Sequence, residues 1–229
     1  DAYEFLANET ECRAIILASE GKSFCAGSSV VTTGQLTTEE QQVVPSGTAT
    51  GRNHIYEQGT RMMLGEIPVI AAIQGAAIGG GLGLALTADF RVAAPEARFA
   101  ANFSRLGFHH GFGLTVTLPQ LVGGQAAMNL LLTGRRVKAD EALQLGLCDE
   151  VVDLAGLRAR AGVLANEIAS SGPLSVRAIR RTMRRGLVEQ FRTAVDREQV
   201  EQEWLRKTAD FREGINAAAA RREPDFQGS

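Results

Sequence analysis

Cysteine, tryptophan and charge of one sign are what this 229-residue chain has little of. Its cysteines, Cys12, Cys25 and Cys148, are three in number and widely spaced. That excludes a disulfide framework and a four-ligand zinc site, and it predicts a reducing, cytoplasmic setting with no metal. Lys and Arg number 24 against 26 Asp and Glu. No global field therefore draws the chain to nucleic acid or to an anionic membrane, although a phosphate-bearing small molecule needs only local positive charge. The opening Asp1-Ala-Tyr-Glu4 has no Met, basic stretch or apolar stretch, so no secretory signal is read there. Charge is also absent from Ile67 to Ala88, 22 residues, which is long enough for a membrane span. Pro68, Gln74 and the glycines Gly75, Gly79, Gly80, Gly81 and Gly83 divide that run into a short strand, a turn and a helix. No membrane partner is expected.

What is there in quantity is apolar residue, 45% of the chain, enough for a sizeable core. Short apolar, β-branched runs predict buried strands at Arg13–Ala18, Pro68–Ile73, Asp89–Ala94 and Ala97–Ala100, with a last short one at Asp149–Val152. Helices are predicted over Asn53–Leu64, from the glycine cluster through Thr87, and over Gln125–Leu132, Ala139–Leu145 and Leu154–Ser170. Strands alternating with helices argue for an α/β core with crossover connections. After Gly172-Pro173 the texture turns to Arg-rich and Glu-rich helix. The predicted organisation is an α/β core over 1–171 and a helical region over 172–229. In that region Leu174, Ile179 and Met183 interleave with Arg177, Arg180, Arg181, Arg184 and Arg185, which predicts an amphipathic helix with a solvated arginine face.

The cluster Gly79-Gly80-Gly81-Leu82-Gly83 falls between a strand and a helix. There the first N–H groups of the helix lack intrahelical partners and the positive end of the dipole points outward. Three readings fit: a phosphate cradle, one donor of an oxyanion hole, or close packing of helix on strand. The dinucleotide pattern Gly-x-Gly-x-x-Gly/Ala fails, because its sixth position is Leu84 or Leu86. A second turn of small residues, Phe24-Cys25-Ala26-Gly27-Ser28, follows another strand. Two such turns after neighbouring strands can bring two N–H groups within about 3 Å of one oxygen.

Phe24-Cys-Ala-Gly27, Pro68-Val-Ile-Ala-Ala-Ile-Gln-Gly75, Gly79-Gly80-Gly81 and Asp89 together resemble the crotonase superfamily, the enoyl-CoA hydratase/isomerase family. The resemblance continues through Leu106-Gly107, Leu118-Pro-Gln-Leu-Val-Gly123, Leu132-Thr-Gly-Arg135, Ala139-Asp-Glu-Ala142, Gly146-Leu147, Phe211-Arg-Glu-Gly214 and Arg221-Arg-Glu-Pro-Asp-Phe226. It implies a crotonase-like spiral of ββα units with a helical C-terminal trimerisation region, assembled as a homotrimer or a dimer of trimers. It also implies a CoA thioester as substrate, no prosthetic group, and a thioester oxygen held between the N–H groups of Ser28 and Gly80. Lys22, Ala26 and Arg221, with Arg222, are the groups it places against the CoA moiety. Relatives begin with a strand hairpin and a helix before the strand at Arg13, and the chain is expected to lack both.

The same resemblance marks where acids would stand. The two hydratase glutamates fall on Gly83 and Phe103, and a third acidic position used by isomerase-like relatives falls on Gly111. None of the three can transfer a proton, so water addition by the two-glutamate route is not expected. The remaining candidates are His109 and His110, in the loop Gly107–Gly113, then His54 and Tyr56 on the preceding helix. Cys25 shows nothing that would activate it, and Asp89 reads as a backbone tie. The expected activity is enoyl-CoA hydratase/isomerase-type lyase or isomerase chemistry. The alternatives are a CoA-thioester or β-dicarbonyl hydrolase using a loop histidine, and a non-catalytic acyl-CoA binder or oligomer scaffold.

Overall fold

The computed structural model describes residues 2–8, 11–27 and 55–229. Its first elements are helix α1 (Ala2–Asn8), strand β1 (Ile15–Leu17) and helix α2 (Ile55–Leu64). There follow β2 (Val69–Ile73), β3 (Ala76–Ile78), α3 (Gly80–Thr87), β4 (Phe90–Ala93), β5 (Arg98–Ala100) and a 3-10 turn over Ser104–Leu106. Next come α4 (Leu114–Val122), α5 (Gly124–Thr133), β6 (Val137–Lys138), α6 (Ala139–Leu145) and β7 (Glu150–Val151). The chain finishes in helices α7 (Leu157–Ala169), α8 (Pro173–Arg184), α9 (Leu187–Leu205) and α10 (Ala209–Ala219).

The strands form two sheets. One is parallel with order β1-β2-β4-β7, and the other has order β3-β5-β6, with β3 parallel and β6 antiparallel to β5. Successive strands switch sheets, β2 to β3 and β4 to β5, which is the winding of a ββα spiral. Strand β2 is buried at all five positions, as a strand covered on both faces must be. Val69, Ala71 and Ile73 enter the main core with Leu82, Phe99, Leu114 and Leu118. Ile70 and Ala72 point the other way, onto Leu157 and Ala161 of α7. The twofold alternation of a strand thus places its Ile and Val side chains in two separate packed layers.

Most expected elements stand within a few residues of their predicted bounds. Helix α1 stands ahead of β1, where the sequence reading placed no helix. Helix α4 carries Pro119 in its interior, the feature that hides it from a reading based on helix breakers.

The reading of α8 is overturned in part: Arg181 and Arg185 are exposed as expected, but Arg180 and Arg184 turn inward while the apolar residues face out. Arg180 is 6% exposed, whereas Leu174, Ile179 and Met183 are 79%, 62% and 78% exposed. The reason is Asp89, at the start of β4. One of its carboxylate oxygens accepts the Val69 N–H at 2.8 Å. Its two oxygens also take Arg180 Nε at 2.8 Å and Arg184 at 2.8 Å. Arg180 reaches the Gly65 carbonyl as well, and Arg184 donates to the Thr87 carbonyl at 2.9 Å. A charge removed from water must be paired and hydrogen-bonded, and this hub does so. It therefore sets which face of α8 turns inward. Asp89 is the backbone tie that its position suggested.

Candidate functional site

The site is built where the two glycine-bearing turns meet. Cys25 bridges to β3 in parallel: its N–H donates to the Ala76 carbonyl at 2.9 Å, and its carbonyl accepts from Ile78 N–H at 3.0 Å. At Gly79 the chain leaves β3 with φ 58° and ψ −120°, a conformation open to glycine. The Gly79 N–H is spent on the Ala100 carbonyl at 2.8 Å. A side chain at Gly81 would run into the Cys25 carbonyl, and one at Gly27, whose φ is +90°, would stand 3.0 Å from the Ile78 carbonyl. The turn at 25–27 is therefore pressed onto the first turn of α3.

Gly80 is the first residue of α3, so its N–H has no intrahelical acceptor. Among the described residues no other acceptor meets it. Among the described residues outside its own helix and neighbours, nothing lies within 4 Å of where a Cβ at Gly80 would be. The second expected donor, Ser28, and the candidate His54 lie outside the described residues.

The three positions that lack an acid are not equivalent. Gly83 faces Phe112, whose φ is +62° and which is 2% exposed. A Cβ on Gly83 would come within 2.5 Å of Phe112 Cβ, and one on Gly59 of α2 within 2.7 Å of its ring. The ring is thus slotted between two helix-interior glycines, edge-on to Tyr56 at 5.7 Å. Phe103 stacks against Phe108 at 6.4 Å, and Phe108 against Phe211 of α10 at 4.9 Å. Gly111 is bounded by the Tyr56 hydroxyl and by Gln202 Nε2, which a Cβ would approach to 2.5 Å. Gly83→Ala therefore overpacks the slot and destabilises the fold by about 1–3 kcal/mol. Gly162→Ala, in α7 with nothing among the described residues outside its own helix within 4 Å of the added carbon, stabilises by about 0.4–1 kcal/mol. Urea unfolding of the two variants checks both signs.

The loop histidines sit on a polar cluster supplied mainly by α9. Glu198 is fully buried. It accepts from Gly113 N–H at 2.8 Å, Thr115 N–H at 3.0 Å and the Thr115 hydroxyl at 2.6 Å, and so caps the start of α4 from another helix. Burial pushes its carboxyl up, and those three donors oppose the shift. His110 Nε2 lies 2.8 Å from the Thr115 hydroxyl and 3.8 Å from Glu198. Burial first, then the stacked His109 ring at 4.1 Å, brings the His110 imidazole down to about 4. His110 is therefore neutral at physiological pH. Gln202 donates to the His109 carbonyl at 3.0 Å and accepts from the Tyr56 hydroxyl at 3.1 Å. Burial pushes the Tyr56 phenol up to about 12. Tyr56 is a hydrogen-bonding group at neutral pH and not a base.

Other candidates stand as follows. Ala26 is exposed in the turn at 25–27, and Lys22 is exposed just before it. Arg221 is exposed past the end of α10, with φ 54°. Arg222 pairs with Glu213 at 2.8 Å. Cys25 is half-buried, with no activating neighbour among the described residues. A cavity of about 440 Å³ opens elsewhere, under α8, between Met63, Leu86, Ile179 and Met183. It contains neither Gly80 nor the histidines.

The reading of the sequence missed Thr115, Glu198, Gln202 and the role of Phe112. A signal for two of them was present. Phe191, Ala194, Val195, Glu198 and Gln202 follow the buried-face register of α9, so a Glu and a Gln fall at core positions, where polar groups need partners.

Comparisons with known proteins agree with this fold. The family model described as "Enoyl-CoA hydratase/isomerase" matches residues 1–229. A short-chain-enoyl-CoA hydratase of Clostridium acetobutylicum is 37% identical over 193 residues, 83% of this chain and 70% of that protein. A 1,2-epoxyphenylacetyl-CoA isomerase of Escherichia coli is 31% identical over 221 residues, 94% of this chain and 81% of the relative. The crystal structure of an enoyl-CoA hydratase from Mycobacterium avium subsp. paratuberculosis superposes with a TM-score of 0.85 at 25% identity, covering 99% of this chain and 85% of that one. With two glycine turns meeting at the N-terminus of α3 and a match over its whole length, the chain belongs to the enoyl-CoA hydratase/isomerase family.

Proposed function

We propose that the protein acts on acyl-CoA thioesters by moving a proton at the α-carbon. The N–H groups of Gly80 and Ser28 would hold the thioester oxygen, and a loop histidine would serve as base. The observation that carries this reading is the Gly80 N–H, which no acceptor among the described residues meets, at the mouth of α3 while the chain at 25–27 is pressed against the same turn. A carbonyl oxygen that gains negative charge as the α-proton leaves is stabilised by N–H donors already pointing at it. The proton must go to a group of suitable type, and Gly83, Phe103 and Gly111 supply none. His109 and His110 stand in the loop that also carries Phe112 onto Gly83, and they are proposed to supply that group.

The named relatives include hydratases and an isomerase. The apolar filling at Gly83 and Phe103 favours the isomerase side, because no carboxylate is there to position water. The thioester is the substrate, with CoA as its carrier. Ala26, Lys22 and Arg221 are proposed to meet the CoA moiety, and the subunits are proposed to associate as trimers.

Exchange of the α-hydrogens of butyryl-CoA in deuterium oxide, run beside hydration of crotonyl-CoA, tests this reading. Enzyme-dependent exchange with hydration at least about 10²-fold below it is the expected result, that factor being the usual contribution of one acid–base group. Hydration as fast as exchange would refute the isomerase-type reading. Tight acyl-CoA binding with neither reaction would make the protein a binder.

A further inference from the structure

The cavity under α8 lies apart from the turn at Gly80, and its volume of about 440 Å³ is that of a small-ligand pocket. Most of its wall is apolar. Met63 comes from α2, Leu86 from α3, Leu121 from α4, Ile168 from α7, and Ile179 and Met183 from α8. The last two are well exposed, so the apolar wall reaches the surface along α8.

The charge in that wall does not balance. Its ionic residues are Asp89, Arg91, Arg180 and Arg184. Arg91 has a counter-ion of its own in Asp149, at 3.4 Å. Arg180 and Arg184 share the single carboxylate of Asp89, so one positive charge is left unmatched. The hydrogen bonds locate it. A guanidinium has five N–H donors. Arg184 Nη2 donates to the Thr87 carbonyl at 2.9 Å and to Asp89 at 2.8 Å, and Nη1 reaches the Met63 sulfur, a weak acceptor, at 3.2 Å. The Nε hydrogen and the second Nη1 hydrogen of Arg184 meet no acceptor among the described residues. The side chain is 11% exposed, so water does little to satisfy them.

We propose that this cavity binds a free medium-chain aliphatic carboxylate, with its head group on Arg184 and its chain along Leu86, Leu121, Ile179 and Met183. The site is distinct from the one at Gly80, which does not line it, and the inference does not rest on the reaction proposed above. A carboxylate matches the unpaired charge and takes the spare donors in charge-assisted hydrogen bonds. A hydrocarbon chain takes Ile179 and Met183 out of water. A neutral chain meets only the second need. Inorganic phosphate meets only the first, and it would give up hydration against an apolar wall. A thioester has no charge at its acyl end and is not expected here.

Calorimetric titration of the full chain with octanoate, octanamide and octylammonium tests this, beside carbon NMR of the methionine methyl groups. Octanoate should bind once per chain, about 10–10²-fold tighter than octanamide, the range for a hydrogen bond to a charged group. Octylammonium should bind more weakly still. Octanoate should shift the methyl signals of Met63 and Met183, which line the cavity, and leave that of Met128 on α5 in place. Arg184→Met should abolish the preference for octanoate over octanamide, while Arg180 keeps Asp89 paired. Ile179→Glu changes an exposed residue and so spares the core. Its charge at the mouth should weaken octanoate by at least about tenfold and octanamide far less, which keeps the test open if Arg184→Met does not fold. Octanamide binding as tightly as octanoate, Met63 left unshifted, or displacement of octanoate by butyryl-CoA would each overturn the proposal. So would a preference that survives the substitutions, or an oligomer that buries α8, binds no octanoate and is dissociated by Ile179→Glu.

Discussion

Replacing Gly80 by proline lowers kcat for α-hydrogen exchange by about 10²–10³-fold, the usual effect of removing one oxyanion donor. The substitution is suited to the question because it deletes one N–H and little else. Gly80 is the first residue of its helix, a position where proline is tolerated because that N–H has no intrahelical acceptor. The preceding Gly79, at φ 58° and ψ −120°, is outside the helical region that a following proline disfavours. Among the described residues outside its own helix and neighbours, nothing lies within 4 Å of the position of a Cβ at Gly80, so the ring root meets no packed side chain there. The fold should survive, as read by circular dichroism and an unchanged thermal midpoint. Gly80→Ala keeps the donor, and its activity should fall far less than that of the proline variant. Equal losses in the two variants would mean that the space beside Gly80 matters and its N–H does not.

Asp89→Ala should destabilise the fold by about 3–5 kcal/mol, the range for breaking a buried ion pair by removing one partner. The carboxylate holds Arg180, Arg184 and the Val69 N–H, and its removal leaves two guanidinium groups buried without their anion. Burial already brings Arg184 down to about 10 with Asp89 in place, which shows how poorly solvated that cation is. The double variant Asp89→Leu/Arg180→Met removes charge from both sides and should lose much less, since an apolar replacement avoids the desolvation penalty. Urea unfolding of the single and double variants measures the difference. A single variant within about 1 kcal/mol of wild type would show that Asp89 is not the hub, since that is the range for an exposed pair.

The parts of this molecule legible in its sequence are those governed by local rules. Strand β2 announces itself as an apolar run between Pro68 and Gly75, and α3 begins at Gly80 because the glycines before it end the strand. The pairing of a small-residue turn with a glycine turn could be read as two candidate donors, and the chain at 25–27 does lie on the first turn of α3. What could not be read depends on partners distant in sequence. The inward face of α8 is set by one carboxylate 91 residues away. The buried Glu198 is satisfied by N–H groups 83 and 85 residues away. Phe112 looks like an ordinary loop aromatic until Gly59 and Gly83 are seen on either side of its ring, where they explain both helix-interior glycines at once. Helix periodicity showed that α8 is amphipathic, but periodicity cannot say which of two stripes is inside when the buried one is ionic.

The most direct measurement is the carbonyl stretching frequency of a thioester labelled with carbon-13 at C1, bound to wild type and to Gly80→Pro, by isotope-edited infrared spectroscopy. Two main-chain donors on one oxygen weaken the C=O bond. The bound wild-type band should therefore lie well below that of the same thioester in water, and the shift should shrink when Gly80 loses its hydrogen. A bound band at the solution frequency, or one that the proline leaves in place, would contradict the account.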